Sequence, residues 1–250
     1  AKVSEAEAHA LKALQIGQAT QTLLANEWFG VQLYQIRREQ GRLEELRPAI
    51  EHLARTYPVI ASWPACLALM DAERGADEAA AARLRALMAD DLRAVRDDVN
   101  RLITYAVLCE VARLVDHRDA AAILREKLAP YAGRFVAIGL SASGYAPCDR
   151  FLAMCDETFG AADDAIAGYE RALALDEAML ARRDHVRCRV DLARVVSARA
   201  GAGDLDRALG LLRDVQTDAA ALEMSAVIEA ARGAEQRLLG AIPLQARRPS

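Results

Sequence analysis

Five short turns of shared composition recur along this chain and leave few folds open to it. They are GRLEEL from Gly41, GADEAA from Gly75, DHRDAA from Asp116, GAADDA from Gly160 and GDLDRA from Gly203. Their first residues stand 34, 41, 44 and 43 residues apart, the range in which helical-hairpin repeats fall. Each turn is preceded by an apolar helical stretch, such as EWFGVQLYQIRREQ or DVNRLITYAVLCEVARLV, and followed by another, such as LEELRPAIEHLARTY. The unit is therefore a helix, a turn and a second helix. One hairpin cannot bury both of its apolar faces, so the units must stack, and the expected fold is an all-α, right-handed α-solenoid.

The stretch GAADDAIAGYERALALD, Gly160 to Asp176, shows how the stacking is to be made. Ala165, Tyr169 and Ala172 lie four and then three residues apart, so they share one helical face. The two alanines predict a close helix approach and Tyr169 a larger side chain reaching between units; Ala208 repeats the small position in the next unit. Hydrophobic residues make up 53% of the chain and aromatics only 5%. With Ala and Leu dominant, this predicts helices and essentially no sheet. The regular turns predict one domain over 4–239, and the Pro- and Arg-bearing end, 240–250, reads as a flexible tail.

These residues carry a resemblance. Gly160, Ala165, Tyr169 and the Ala172–Leu173 pair resemble the second helix of a tetratricopeptide repeat. Gly203 with Ala208 and Leu212, and Gly75 with Ala80, Leu84 and Leu87, keep the same size pattern, whereas the Gly41 unit has Leu46 where Ala is usual. The stretches QLYQIRREQGRLEEL, YPVIASWPACLALMDAERG, LREKLAPYAGRFVAIG and YERALALDEAMLARR look like the degenerate tetratricopeptide region found C-terminal to the ATPase module of LuxR-type ATP-dependent transcriptional regulators and of adenylate-cyclase/ATPase multidomain proteins. The resemblance implies a non-catalytic protein–protein interaction scaffold, the signal-input arm of a bacterial regulator. Its partner would be a protein segment or an attached ATPase or cyclase domain. The alternative is a small-molecule effector-sensing domain.

The formal net charge of -4 argues against a general electrostatic footprint for nucleic acid. The five cysteines, Cys66, Cys109, Cys148, Cys155 and Cys188, are odd in number and set in apolar helical patterns. A disulfide framework is not expected, and a reducing cytoplasm fits best. No leader and no apolar run of about eighteen residues is found, so export and membrane insertion are not expected either.

Searches for chemistry return little. The chain has no phosphate-binding G-x-x-x-x-G-K-[ST] loop, no G-x-S-x-G elbow and no H-E-x-x-H pair. No catalytic residue, cofactor or metal site is expected. His9, His52, His117 and His185 are scattered over different repeats. Cys148 and Cys155, seven residues apart, read as small core residues sharing a face. Asp97 with Asp98, and Asp163 with Asp164, read as capping residues at helix starts.

Two features stand apart. Residues 131–147, YAGRFVAIGLSASGYAP, break the helical pattern with Gly133, Gly139 and Gly144 around an apolar centre. Such an insertion either lines a ligand pocket, with Tyr131, Arg134, Phe135, Ser141, Ser143 and Tyr145 as candidates, or serves as a cover that tucks Phe135, Val136 and Ile138 between repeats. In ARRDHVRCRVDLARVVSAR, Arg183, Arg187 and Arg194 share one helical side, opposite Val186, Val190 and Ala193. They form either a groove for an acidic partner or a solvated face.

Overall fold

The computed structural model describes residues 2–22, 24–139 and 142–241, and there the turns at Gly41, Gly75, Asp116, Gly160 and Gly203 each lie between two helices. Ser141 and the end of the tail, 242–250, lie outside the described residues. Among those described, twelve α-helices run in order: α1 (Val3–Ala19), α2 (Ala25–Glu39), α3 (Arg47–Thr56), α4 (Ser62–Glu73), α5 (Asp77–Leu92), α6 (Arg101–Leu114), α7 (Arg118–Leu128), α8 (Cys148–Thr158), α9 (Ala162–Ala178), α10 (Arg182–Arg199), α11 (Asp204–Leu222) and α12 (Ser225–Ala241).

Four of the five recurring turns share one hydrogen-bonded closure. The amides of Arg42, Ala76, His117 and Ala161 donate to the carbonyls of Arg37, Asp71, Ala112 and Asp156, each five residues back, at 2.8, 2.8, 2.8 and 3.0 Å. The residue before each donor, Gly41, Gly75, Asp116 or Gly160, takes a positive φ between 50° and 80°. This is a Schellman closure, and glycine adopts it without steric cost. The same closure recurs between pairs, where the sequence carries no glycine to announce it. Thr22, Ala181 and Met224 donate to Gly17, Asp176 and Ala219 at 2.8, 2.8 and 2.9 Å, after Gln21, Leu180 and Glu223 at φ 56°, 54° and 62°. Leu180 is 84% exposed there, so its side chain offsets none of the left-handed strain. Leu180→Gly is expected to stabilise the fold by about 0.5–1 kcal/mol in urea denaturation.

Helices α8 and α9 approach closely, and Ala165, Tyr169 and Ala172 of α9 are all fully buried; the Tyr169 hydroxyl, expected to reach between units, donates to Glu157 on α8 of its own unit at 2.8 Å. Ala208 on α11 is also fully buried. The closest point is Gly168, where an added Cβ would stand 2.8 Å from the Ala153 Cβ. Gly168→Ala gains about 1 kcal/mol in helix propensity and loses about 1–3 kcal/mol to overpacking. The net expectation is a small loss, read as a lower melting temperature.

The 131–147 insertion departs from the expected absence of sheet. It forms an antiparallel hairpin of β1 (Phe135–Ile138) and β2 (Ser143–Pro147), with a register shift between Val136 and Ala137. The pair Val136 and Ala146 is buried in the helical core while the pair Ala137 and Gly144 is not, and the register shift leaves Tyr145 as an extra residue of β2 that is buried as well. The hairpin occupies the connection between α7 and α8 and packs its strands on α6 and α9.

The ends of the chain meet. Helix α12 packs on both α10 and α2, Gly41 lies beside Ala226, and the Glu223 carboxylate takes the Ser4 amide at 3.2 Å and the Lys2 ammonium at 3.3 Å. One cluster of buried apolar side chains runs from Val3 to Ala231.

Candidate functional site

The first helices of successive pairs turn one face toward a common centre. Side chains of α2, α4, α6, α8, α10 and α12 line an inner chamber of about 440 Å3, and most of its polar groups are charged. Burying charges costs several kcal/mol each unless they are paired. Arg38, Glu110, Arg150 and Asp191 of the wall are paired, whereas Arg113 Nε is buried with no hydrogen-bond partner among the described residues. The Arg38 guanidinium donates to Glu73 from Nε at 2.9 Å, to Glu110 from Nη1 at 3.3 Å and to the Tyr145 hydroxyl at 2.7 Å; that hydroxyl donates in turn to Glu110. Burial alone would raise the Glu110 carboxyl, but the adjoining Arg38 outweighs it and holds the group below the usual carboxylate range. Next along the wall, Arg150 donates twice to the Asp191 Oδ2, at 2.9 and 2.7 Å.

The three arginines selected from α10 belong to this pairing. Arg187 donates to Glu39 of α2 at 2.7 Å, Arg194 to Asp191 at 2.9 Å and also to Glu157, and Arg183 to its neighbour Asp184 and to the carbonyls of Gly144 and Tyr145. Each guanidinium therefore ties α10 to another element or to its own helix. Arg187 reaches α2 and Arg183 reaches β2, contacts that spacing on one helix cannot reveal.

The insertion candidates divide. Tyr145 stacks on Phe151 at 5.7 Å between ring centroids and anchors β2 to the chamber wall. Tyr131 accepts from Arg101 at 2.7 Å and lies under the Arg101 and Arg134 guanidinia, away from the chamber. Phe135 and Ser143 face a second, larger cavity of about 750 Å3. This cavity is walled by α1, α2, the hairpin, the α9–α10 turn and the α11–α12 turn. Its surface is mainly apolar, with Val3, Ala10, Ile36, Phe135, Leu222 and Met224 contributing. Gln35 and Glu39 lie on its α2 wall, 5% and 3% exposed. Neither amide atom of Gln35 has a hydrogen-bond partner among the described residues, nor has Glu39 Oε2. Sequence reasoning missed these two, because Gln35 and Glu39 look like ordinary polar positions of an amphipathic helix.

Elsewhere the polar candidates have structural roles. His117 Nδ1 accepts the Ala120 amide at the start of α7; Asp163 and Asp164 stand in the first turn of α9 but do not cap it by a side-chain hydrogen bond, and Asp163 accepts from Arg199 at 2.8 Å instead. Asp98 accepts the Asn100 amide just before α6. Cys148 and Cys155 are buried on α8, and Cys155 Sγ lies 3.5 Å from Cys109 Sγ of α6. Among the described residues no group of three or more His, Cys, Asp or Glu converges as a metal-ligand set, and no helix is long and apolar enough to cross a membrane.

Fold and site together define an all-α protein of paired helices, with a charge-paired inner chamber and an apolar side cavity. Comparison with protein-family models, curated proteins and solved structures found no match to this chain.

Proposed function

We propose that this chain is a non-catalytic regulatory scaffold, a right-handed solenoid of tetratricopeptide-like hairpins that serves as the signal-input arm of a bacterial transcriptional or signalling regulator. The observation that carries this is the repeated helix–turn–helix unit with its Schellman closure, from Gly41 to Gly160. A scaffold of this kind offers extended faces to protein partners, here a protein segment or an attached ATPase or cyclase domain. Its outer surface is the place for that contact, since the inner arginines are taken up by Glu39, Asp184 and Asp191. An antibody against this chain, used on a lysate of the source organism, is expected to detect a polypeptide well above 27.1 kDa that carries nucleotide-hydrolysing or cyclase activity. A band at 27.1 kDa with no such activity would overturn the input-arm assignment.

A second function, effector sensing, is favoured by the side cavity. It is large enough for a metabolite and is formed by α1, α2, the hairpin and the α9–α10 and α11–α12 turns. A ligand seated there would favour the packing in which α1, α2 and the α11–α12 turn are held together, and so shift the arm between states.

A further inference from the structure

We propose that the side cavity binds an uncharged, mainly apolar small molecule bearing an amide-type edge, a hydrogen-bond donor beside an acceptor, recognised by Gln35 with Glu39. This rests on the effector-sensing function above and specifies the chemistry of its ligand. Three observations lead to it. First, the wall is mainly apolar, so the body of the ligand must be apolar too. Second, the buried acidic groups of the wall are already neutralised by arginines: Glu39 by Arg187 and Asp184 by Arg183. A net charge on the ligand would find no counter-ion there and would lose its hydration.

Third, the buried polar groups left unpaired are complementary to one chemical pattern. A carboxamide carries both donors and acceptors, and Gln35 uses neither among the described residues. Leaving buried polar groups unpaired costs free energy that a ligand can recover. A lactam, cyclic urea or diketopiperazine presents a donor next to an acceptor and so pairs with the Gln35 amide in the manner of two facing amides. Glu39, four residues on and hence on the same face of α2, keeps Oε2 for a further N–H or O–H of the ligand.

The probes for the test are caprolactam and cyclo(Leu-Phe), both neutral, together with the N,N′-dimethyl form of cyclo(Leu-Phe), which keeps the acceptors and lacks the donors, and N-acetylphenylalanine, which carries a carboxylate. The whole chain and its Gln35→Leu variant are titrated with each, following the melting temperature and ligand-observed NMR. The proposal expects saturable binding of cyclo(Leu-Phe) to the native chain, weakened about tenfold by N-methylation and about tenfold by Gln35→Leu. Gln35→Leu removes an unpaired buried amide and is expected to fold; should it not, Gln35→Met takes its place. Equal binding of the methylated and unmethylated forms, or equal binding to both chains, would overturn the amide recognition while leaving a ligand cavity in place. Tighter binding of N-acetylphenylalanine would move recognition to Arg182 on the rim and overturn the uncharged class. No binding of any probe at millimolar concentration would overturn the proposal and effector sensing with it.

Discussion

Glu110→Ala is expected to cost about 3–5 kcal/mol of folding free energy, the loss that follows when one member of a buried ion pair is removed and the other stays. The residue it orphans is Arg38, 7% exposed, whose guanidinium also meets Glu73 and Tyr145. Glu73 is a third exposed and cannot replace the carboxylate facing the deepest part of the chamber. Two further variants separate charge from shape. Glu110→Gln keeps an acceptor for Arg38 and is expected to lose less. Replacing the set together, Arg38→Met with Glu110→Leu and Tyr145→Phe, is expected to recover most of the loss, because no unpaired charge remains. Urea denaturation at neutral pH measures all three. If Glu110→Ala unfolds with the native midpoint, the Arg38 network contributes nothing to the fold and the description of the chamber wall is wrong.

Asp176→Asn is expected to stabilise the protein at pH 8 by about 2–4 kcal/mol and to leave it nearly unchanged at pH 4. Asp176 is 1% exposed, at the end of α9, and neither carboxylate oxygen accepts a hydrogen bond among the described residues. Burial, and then the charge of the neighbouring Asp184, push its carboxyl up to about 7 from an ordinary 3.8. The direction follows from the order of proton release. Between pH 4 and 7 the unfolded chain has lost this proton while the folded chain keeps it, so folding becomes less favourable as pH rises. Above pH 7 both states are ionised and the penalty is complete. Asparagine imitates the protonated acid at every pH and removes the slope. The groups around it are Asp184 and Arg183 at the start of α10 and Arg150 on α8, none of which is altered by the substitution. Stability curves for the two chains that stay parallel from pH 4 to 8 would show that Asp176 does not titrate in this range.

Much of the helical order is legible in the sequence, for a local reason. A Schellman turn is decided by a few consecutive residues, and glycine at positive φ marks it in the bare sequence, so three such turns could be placed from Gly41, Gly75 and Gly160, and Asp116 from its neighbours; Gly203, also at positive φ, marks the start of α11 instead. The turns at Gln21, Leu180 and Glu223 have the same conformation without glycine and are silent. The hairpin was legible only as a break in helical periodicity, because its pairing depends on Val136 and Tyr145 finding a helical core to cover. Of the candidate site residues, Phe135 and Ser143 do border a cavity, whereas Tyr145 and the three arginines of α10 are taken up by pairing within the fold.

The sequence by itself determined the paired helices, the places where many of them turn and the face that α9 buries through Ala165, Tyr169 and Ala172. Periodicity and backbone conformation act over a few residues, so these features are written locally. Only the tertiary structure decided that α12 returns to α2, that Arg187 meets Glu39 across 148 residues of chain, and that Gln35 ends up buried beside a cavity without a partner among the described residues. Each of these depends on how successive pairs rotate on one another. Small rotations add along a stack, and no single stretch of sequence carries their sum.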